Sequence, residues 1–329
     1  AIIGVKQGDL LGPILFTFFM AAVMETWRAT SSYELPTFRS RPDFQMTGRR
    51  STARGDEFTI GDSEYADDTG MPFCSRRDLD EQTPRVSAHF GRWGMEVHEG
   101  TLDPSGNVEK ESKSEVLFCS APLHTYTNAS TFDGADLSHV MLPRSRFIRI
   151  VSEFPYLGDM MARDGSDGCA VDSRIAAAGK AFGALRKCVF SSTSVNFAAK
   201  RAVFESIILS ILLYGCEGWS LTERHRQQLR VFHTQCLRAM CRVTRKHTWD
   251  HHISTQELGQ RLGIETIDTY ITRRQLRWGG HVRRMDYDRR LPRRMLSSWI
   301  AHPRPRGAPK MTYGRSFCKA LKQFHIDHE

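Results

Sequence analysis

The hydrophobic pattern of this 329-residue chain changes character once, between residues 155 and 172. Before this point, short apolar stretches alternate with segments rich in Gly, Pro and Ser, which is typical of strands and turns mixed with a few helices. After it, apolar residues recur at helical spacing, for example at Ile175, Ala178, Phe182 and Leu185. The sequence therefore predicts a mixed α+β first half and an all-α second half.

The first half contains several recognisable elements. Residues 10–28 predict a buried helix with Pro13 in its first turn, where proline is tolerated, and the apolar run from Leu10 to Met24 is too short to span a bilayer. Residues 79–98 predict a second helix, and residues 101–112 predict a loop. The segments "KSEVLFCS" and "EFPYLGDMM" predict a short strand and a strand with a turn.

Charge is divided unevenly between the halves. Residues 1–150 carry 16 Lys and Arg against 21 Asp and Glu, whereas residues 151–329 carry 30 against 16, so the formal net charges are −5 and +14. A strongly basic second half indicates a polyanionic partner that binds mainly there. Eight scattered cysteines without a secretory signal indicate a reduced, intracellular protein.

The segment "EFTIGDSEYADDTGMPF" places Asp67 beside Asp68 between two stretches that alternate like strands. This pattern predicts a hairpin with the aspartates at its turn, and Pro72 limits the second strand to an edge. Adjacent carboxylates offer hard oxygen ligands to Mg²⁺, and a bound cation would neutralise their repulsion. An ordinary acidic surface turn is the alternative that the pair alone leaves open.

Five motifs occur in an order that resembles the reverse transcriptases of non-LTR (LINE-type) retrotransposons. "GVKQGDLLGPILF" and "YADD" are similar to two consecutive motifs of the polymerase palm. "WGMEVH" followed by "KSEVLF" is similar to the palm motif that comes after them, and "FPYLG" is similar to the primer-grip hairpin. "LLYGCEGWSLT" and "RRQLRWGGHVRRM" are similar to the segment that follows the palm. The resemblance spans about residues 4 to 310 and implies an α+β partial polymerase palm followed by an all-α thumb-like region.

The resemblance also implies roles for individual residues. Asp67 and Asp68 would bind Mg²⁺ or Mn²⁺, and Lys113 would lie near the triphosphate, although a solvated lysine is an equally good interpretation. The residues implied for the nucleotide and template site are Gln7, Gly8, Tyr65 and Ala66. Those implied for the primer grip are Phe154, Leu157 and Gly158. RNA template, DNA primer and dNTPs are the implied partners, without a membrane, in the nucleus and cytoplasm.

The sequence departs from the family because the palm needs another aspartate on a strand before "GVKQG", where this chain starts. We therefore expect a truncated copy that is inactive by itself, because half of a metal clamp stabilises a transferring phosphate poorly. A non-catalytic nucleic-acid-binding remnant and a degenerate product without a role are the alternatives. The expected domains are a partial palm at 1–158, a thumb-like region at 159–300 and a basic tail at 301–329.

Nine arginines lie between residues 273 and 294, interleaved with Trp278, His281 and Tyr287. Arginine binds phosphate through a planar fork and aromatic rings stack on unpaired bases, so this segment predicts contact with a nucleic-acid backbone. A solvated helix face is the alternative. The candidate contacts are Arg273, Arg274, Arg277, Arg283, Arg284, Arg289 and Arg290.

A zinc site is not predicted. Cys236 and Cys241 lie five residues apart on a predicted helix, where they do not share a face, and Cys236 belongs to its apolar stripe. The histidines that follow, at 247, 251 and 252, also lie too close to this pair for the usual zinc-finger spacing.

Overall fold

The structure is a computed structural model that describes residues 10–41, 55–119, 138–299 and 313–326, together with the backbone of residues 131, 132, 135 and 136. The described part forms two compact units, one from residues 10–40, 55–152 and 298–299 and one from residues 153–297 and 313–326. It contains helices and small, mainly antiparallel sheets, in agreement with the predicted α+β class.

The strands of the described residues are β1 Thr37–Ser40, β2 Asp56–Thr59, β3 Ser63–Tyr65, β4 Asp68–Gly70, β5 Gly100–Leu102, β6 Val108–Lys110, β7 Glu115–Leu117, β8 Thr131–Phe132, β9 Ala135–Asp136, β10 His139–Leu142, β11 Arg146–Val151, β12 Glu153–Tyr156, β13 Asp159–Ala162 and β14 Ser298–Trp299. The helices are α1 Gly12–Thr30, α2 Arg76–Arg92, α3 Gly168–Leu185, α4 Phe197–Val203, α5 Leu209–Leu212, α6 Glu223–Cys241, α7 Arg245–Asp250, α8 Thr255–Leu262, α9 Ile267–Arg283, α10 Leu291–Leu296 and α11 Tyr313–Gln323.

In the first unit, α1 packs against α2 mainly through its C-terminal half. Met20, Val23, Met24 and Trp27 are buried together with Phe90 of α2. The prediction of a buried helix is wrong for most of the N-terminal half, where several apolar side chains are exposed, Leu10 by 90% and Phe18 by 71%. Phe16 and Phe19 are partly buried against the same cluster, and the Phe19 ring lies 5.8 Å from that of Trp93.

The largest sheet of the first unit has the order β10-β11-β5-β6, and β7 pairs in parallel with β11. The predicted loop at 101–112 is wrong, because this segment contains the last two residues of β5 and all of β6, which pair antiparallel around a turn at Asp103–Asn107. The hairpin β3–β4 pairs with no other strand among the described residues.

The second unit is helical except for the hairpin β12–β13. Its core joins α3, α5, α6, α8 and α9, and its buried side chains follow the predicted helical spacing. Capping fixes the helix starts: the Ser254 hydroxyl accepts the Glu257 amide at 3.1 Å, as the sequence predicts for α8. Helix α11, which was not predicted, packs on α9 with Phe317 buried, whereas "PRPRGAPK" lies outside the described residues.

No helix of the described residues has both the length and the apolar character needed to cross a membrane. All eight cysteines belong to the described part of the chain, and none of them forms a disulfide there.

Candidate functional site

The acidic pair lies on the tight hairpin β3–β4. Tyr65 and Asp68 are directly opposed, so Ala66 and Asp67 form a two-residue turn and Asp68 begins the second strand. Ala66 has a φ of +56°, in the left-handed region that such turns require. The prediction of a hairpin with the aspartates at its turn is confirmed, and the second strand ends at Gly70, before Pro72.

Both carboxylates of the pair face solvent. Asp67 and Asp68 are exposed, as is Tyr65 at 65%, and neither carboxylate makes a hydrogen bond or ion pair with a described residue. Because no arginine or lysine of the described residues neutralises them, their oxygens are available to an external cation.

The other two carboxylates of this segment are engaged with α1. The Arg28 guanidinium contacts both Asp62 and Glu64, the latter at 3.2 Å. The hydrogen bond from Arg28 lowers the pKa of Asp62, whereas burial and the neighbouring Asp62 raise the pKa of Glu64 to about 7. Asp62 and Glu64 therefore anchor the hairpin to α1, and Asp67 and Asp68 are left as its free acidic groups.

The donor set fits one kind of metal site. Within the described residues, no three His, Cys, Asp or Glu side chains come together as an all-protein metal cage. Mg²⁺ commonly takes only one or two carboxylates when substrate phosphates complete its coordination. Asp67 and Asp68 fit such a substrate-bridged ion.

The remaining residues predicted for the nucleotide site are less informative. Gln7 and Gly8 lie outside the described residues. Lys113 is exposed just before β7, and its backbone amide donates to His98 Nδ1 at 3.2 Å. No hydrogen bond or ion pair of the described residues joins the Lys113 side chain to the aspartates.

The second predicted hairpin, β12–β13, is confirmed and is held by two side chains that sequence reasoning missed. Leu157 and Gly158 form its turn with φ of +48° and +80°. The Tyr214 hydroxyl donates to the Leu157 carbonyl at 2.8 Å, and Arg174 donates to the Gly158 carbonyl. The Arg174 guanidinium also lies 4.4 Å from the centre of the Tyr214 ring.

Phe154 lies on β12, the strand that leads into the turn at Leu157 and Gly158, and its ring lies 6.1 Å from that of Tyr156. Tyr214 occurs in the motif "LLYGCEGWSLT", but that motif contains no signal that its hydroxyl reaches back 57 residues. A contact across such a separation is set by tertiary packing, so only the structure could reveal it.

The predicted basic contacts divide into two groups. Arg273 pairs with Glu265 at 2.7 Å, and Arg274 donates to the Leu213 carbonyl at 3.0 Å, so both stabilise the unit itself. Arg289 lies 3.8 Å from Asp286. The others are exposed and form no ion pair with a described residue: Arg277, Arg283, Arg284 and Arg290.

An aromatic pair accompanies the unpaired arginines. Trp278 is 39% exposed and its ring lies 5.9 Å from that of His281. Arg277, His281 and Arg284 follow at intervals of four and three residues, which places them along one side of the helix end. We call the four unpaired arginines with Trp278 the α9 basic face; Arg284 directly follows α9, and Arg290 directly precedes α10.

The cysteine and histidine segment has no zinc geometry. Cys236 is buried in the core of the second unit, and burial raises the pKa of its thiol to about 12. Cys236 therefore belongs to the apolar stripe of α6, as the sequence indicates.

Comparisons with known proteins find two relatives that are named for transposons. The chain is 22% identical over 289 residues to a probable RNA-directed DNA polymerase from the transposon BS of Drosophila melanogaster, a match that covers 85% of the chain and 26% of that protein. It is also 24% identical over 134 residues to a putative uncharacterized transposon-derived protein of Caenorhabditis elegans, covering 41% of the chain and 47% of that protein.

The chain thus spans less than half the length of each of these two relatives. No family model matches it, and no solved structure matches it. The similarity to proteins of transposons, one of them named for polymerase activity, supports a relationship to retrotransposon reverse transcriptases at low identity.

Proposed function

We propose that this chain carries the metal-binding palm hairpin and the thumb-like region of a LINE-type retrotransposon reverse transcriptase. The reaction proposed for the whole protein is template-directed addition of dNTPs to the 3′ hydroxyl of a primer. The observation that supports this most directly is the acidic pair at the tip of β3–β4, exposed and without a partner among the described residues. The transposon polymerase to which the chain is similar supports it independently.

In this proposal Asp67 and Asp68 hold Mg²⁺ or Mn²⁺, which supplies electrostatic stabilisation to the transferring phosphate. Ala66 is small enough to let a primer end approach the turn, Tyr65 shapes it, and Gln7 and Gly8 line the nucleotide site with Lys113 near the triphosphate. Phe154, Leu157 and Gly158 position the primer. The proposed domains are a partial palm at 1–158, a thumb-like region at 159–300 and the segment 301–329.

Iron-mediated cleavage tests the metal site. Fe²⁺ bound in place of Mg²⁺ generates hydroxyl radicals that cut the backbone near the metal, so we expect cleavage around residues 64–70. The double variant Asp67→Asn, Asp68→Asn should abolish these cuts. Asp103→Asn is the matched control, because Asp103 is an exposed turn carboxylate that already accepts the Asn107 amide at 2.8 Å. Unchanged cleavage in the double variant would contradict the assignment.

Salt-dependent binding tests the α9 basic face. Binding of a template-primer duplex should weaken linearly in a double-logarithmic plot against salt, with a slope of about 0.9 per neutralised phosphate. Replacing Arg277, Arg283, Arg284 and Arg290 by Ala should lower this slope by about 3.6, that is, about 0.9 for each lost contact. The control replaces four other exposed basic residues of the second unit, Lys180, Arg186, Lys187 and Arg224. Equal losses in both variants would refute a specific face.

A second candidate function is non-catalytic binding of nucleic acid. It is favoured by one observation: among the described residues, no third carboxylate joins Asp67 and Asp68. Primer extension by this chain with Mg²⁺ separates the two candidates. Binding without extension supports the second, whereas extension that Asp67→Asn abolishes supports the polymerase.

A further inference from the structure

The second unit contains a groove of about 990 Å³ that no predicted site residue lines. Its walls are one face of α6, the first turns of α8 and the segment from Gly263 through the start of α9. Much of the lining consists of hydroxyl and amide side chains, including Thr234, Gln256, Gln260 and Thr269. Such a surface offers hydrogen bonds to a polar ligand.

The charges of this groove do not cancel. Arg230 forms an ion pair with Asp268 at 2.6 Å. Glu265 forms an ion pair with Arg273, which does not line the groove. Arg238 and Arg245 also line the groove, and they form no ion pair with a described residue. Because the acidic groups already have arginine partners, the two remaining guanidinium groups give the groove a positive potential.

His233 adds a buried polar atom to the same groove. Its side chain lines the groove, the residue is only 2% exposed, and its Nε2 has no hydrogen-bond partner among the described residues. Burial lowers its pKa to about 4, so the imidazole is neutral at physiological pH.

Helix α7 brings an exposed aromatic ring to the edge of this groove. Val243 and Ile253 pack against the core on either side of α7, yet none of its six residues is buried. Trp249 is 80% exposed and follows Arg245 by four residues, which places the two side chains on one face of the helix. A single exposed apolar residue is ordinary, but this indole shares its helix face with the unpaired Arg245, which lines the groove.

We propose that the groove and α7 form a binding site for single-stranded nucleic acid, in which Arg238 and Arg245 contact phosphates and Trp249 stacks on an unpaired base. Stacking on an indole requires a base that is not paired, so a single strand fits this site better than a duplex. An acidic peptide could bind the arginines, but it would leave Trp249 without a role.

This site is distinct from the α9 basic face. The groove includes Asp268 at the start of α9, whereas the nearest member of that face, Arg277, lies nine residues further along the helix, about 14 Å away along its axis. The inference rests on the proposed function, because it supplies a second contact for the same class of ligand.

Fluorescence anisotropy with a labelled 12-nucleotide RNA of mixed sequence tests the proposal. We expect Trp249→Ala to weaken binding about tenfold, in line with the usual contribution of base stacking, and Trp249→Phe to retain most of the affinity. The double variant Arg238→Ala, Arg245→Ala should lower the salt slope by about 1.4. Lys187→Ala, an exposed charge outside the groove, is the matched control. Trp249 is exposed, so circular dichroism should show an unchanged fold.

The outcomes distinguish this inference from the proposed function. Unchanged RNA affinity in Trp249→Ala, with template-primer binding still dependent on the α9 basic face, overturns only the groove site. Absence of binding to both RNA and template-primer by the unaltered chain overturns both proposals. If polyglutamate displaces the RNA and binds with no dependence on Trp249, the groove is a site for acidic peptides and the inference is wrong.

Discussion

The hairpins β3–β4 and β12–β13 have the same kind of two-residue turn, but they differ in the side-chain contacts that hold the turn. Each has a two-residue turn, and each turn places a residue other than glycine at positive φ, Ala66 in the first and Leu157 in the second. The first turn exposes two carboxylates that no described residue contacts. The second is held by Tyr214 and Arg174 through both of its carbonyl groups.

The two hairpins differ in whether the protein itself fixes the geometry of the turn. A turn whose carbonyls are hydrogen-bonded to α3 and to the segment after α5 keeps one geometry without a ligand. A turn that concentrates negative charge without a protein partner leaves its carboxylates to water and to dissolved cations. The second hairpin is therefore held by the protein itself, and the proposed cation site at the first would be completed only by its ligand.

Gly215→Ala should have the largest effect, because it disrupts the support of the second hairpin. Gly215 has a φ of +77°, and an added Cβ would lie 2.4 Å from Asp159 Oδ2. Backbone strain and overpacking together should cost about 3 kcal/mol, measured by urea unfolding. Gly106→Ala is the control, because Gly106 has a φ of +83° with open space around it and should lose about 1 kcal/mol. Equal losses would mean that the Asp159 contact contributes nothing.

Tyr214→Phe should have a smaller effect that is specific to the same hairpin. It removes the hydrogen bond to the Leu157 carbonyl and should lower the free energy of unfolding by about 1 kcal/mol. Hydrogen exchange of the β12–β13 amides should accelerate accordingly. Tyr65→Phe provides the comparison in the first hairpin, because the exposed Tyr65 hydroxyl has no partner among the described residues. A loss of stability in Tyr65→Phe would contradict the contrast between the hairpins.

Ala66→Gly should raise the free energy of unfolding, and by less than Gly215→Ala and Tyr214→Phe lower it. Glycine adopts the φ of +56° at this turn without strain, although its unfolded state has more entropy to lose. We expect a net gain of about 0.5 kcal/mol in the free energy of unfolding. A clear loss in thermal or urea unfolding would show that the turn does not hold this conformation in solution.

The sequence predicted what depends on local chemistry. Both hairpins, the start of α8 at Ser254 and the helical spacing of the second half follow from turn residues, a capping side chain and periodicity. The strands β5 and β6 were missed because each has only three residues, too few to show an alternating pattern.

Long-range features could not be predicted in the same way. The contacts of Arg174 and Tyr214 with the turn at 157–158 join residues 16 and 57 positions apart, and the arginines that pair internally look the same in the sequence as those that do not. The groove beside α7 depends on how α6, α8 and α9 pack. Trp249 was visible in the sequence, but its exposure was not.

The pH dependence of stability at the first hairpin should be the smallest effect, and it reports on how the hairpin is anchored. The pKa of Glu64 is raised from 4.5 to about 7, so between these values the folded state holds a proton that the unfolded state has released. The free energy of unfolding should therefore fall as pH rises from 4.5 to 7 and then level off. Glu64→Gln should remove this decline, which urea unfolding at pH 5 and pH 7.5 would detect.

The contribution of Asp62 to the free energy of unfolding changes with pH in the direction opposite to that of Glu64, and it does so at lower pH. Its pKa is lowered by Arg28, so its contribution is present above the unfolded value of 3.8 and is lost as pH falls through the folded pKa. The two effects are therefore separable by pH. If the unaltered chain and Glu64→Gln show the same stability profile between pH 5 and pH 7.5, Glu64 is ionised throughout. Arg28 then neutralises both carboxylates, and the first hairpin is anchored to α1 by two ion pairs instead of one.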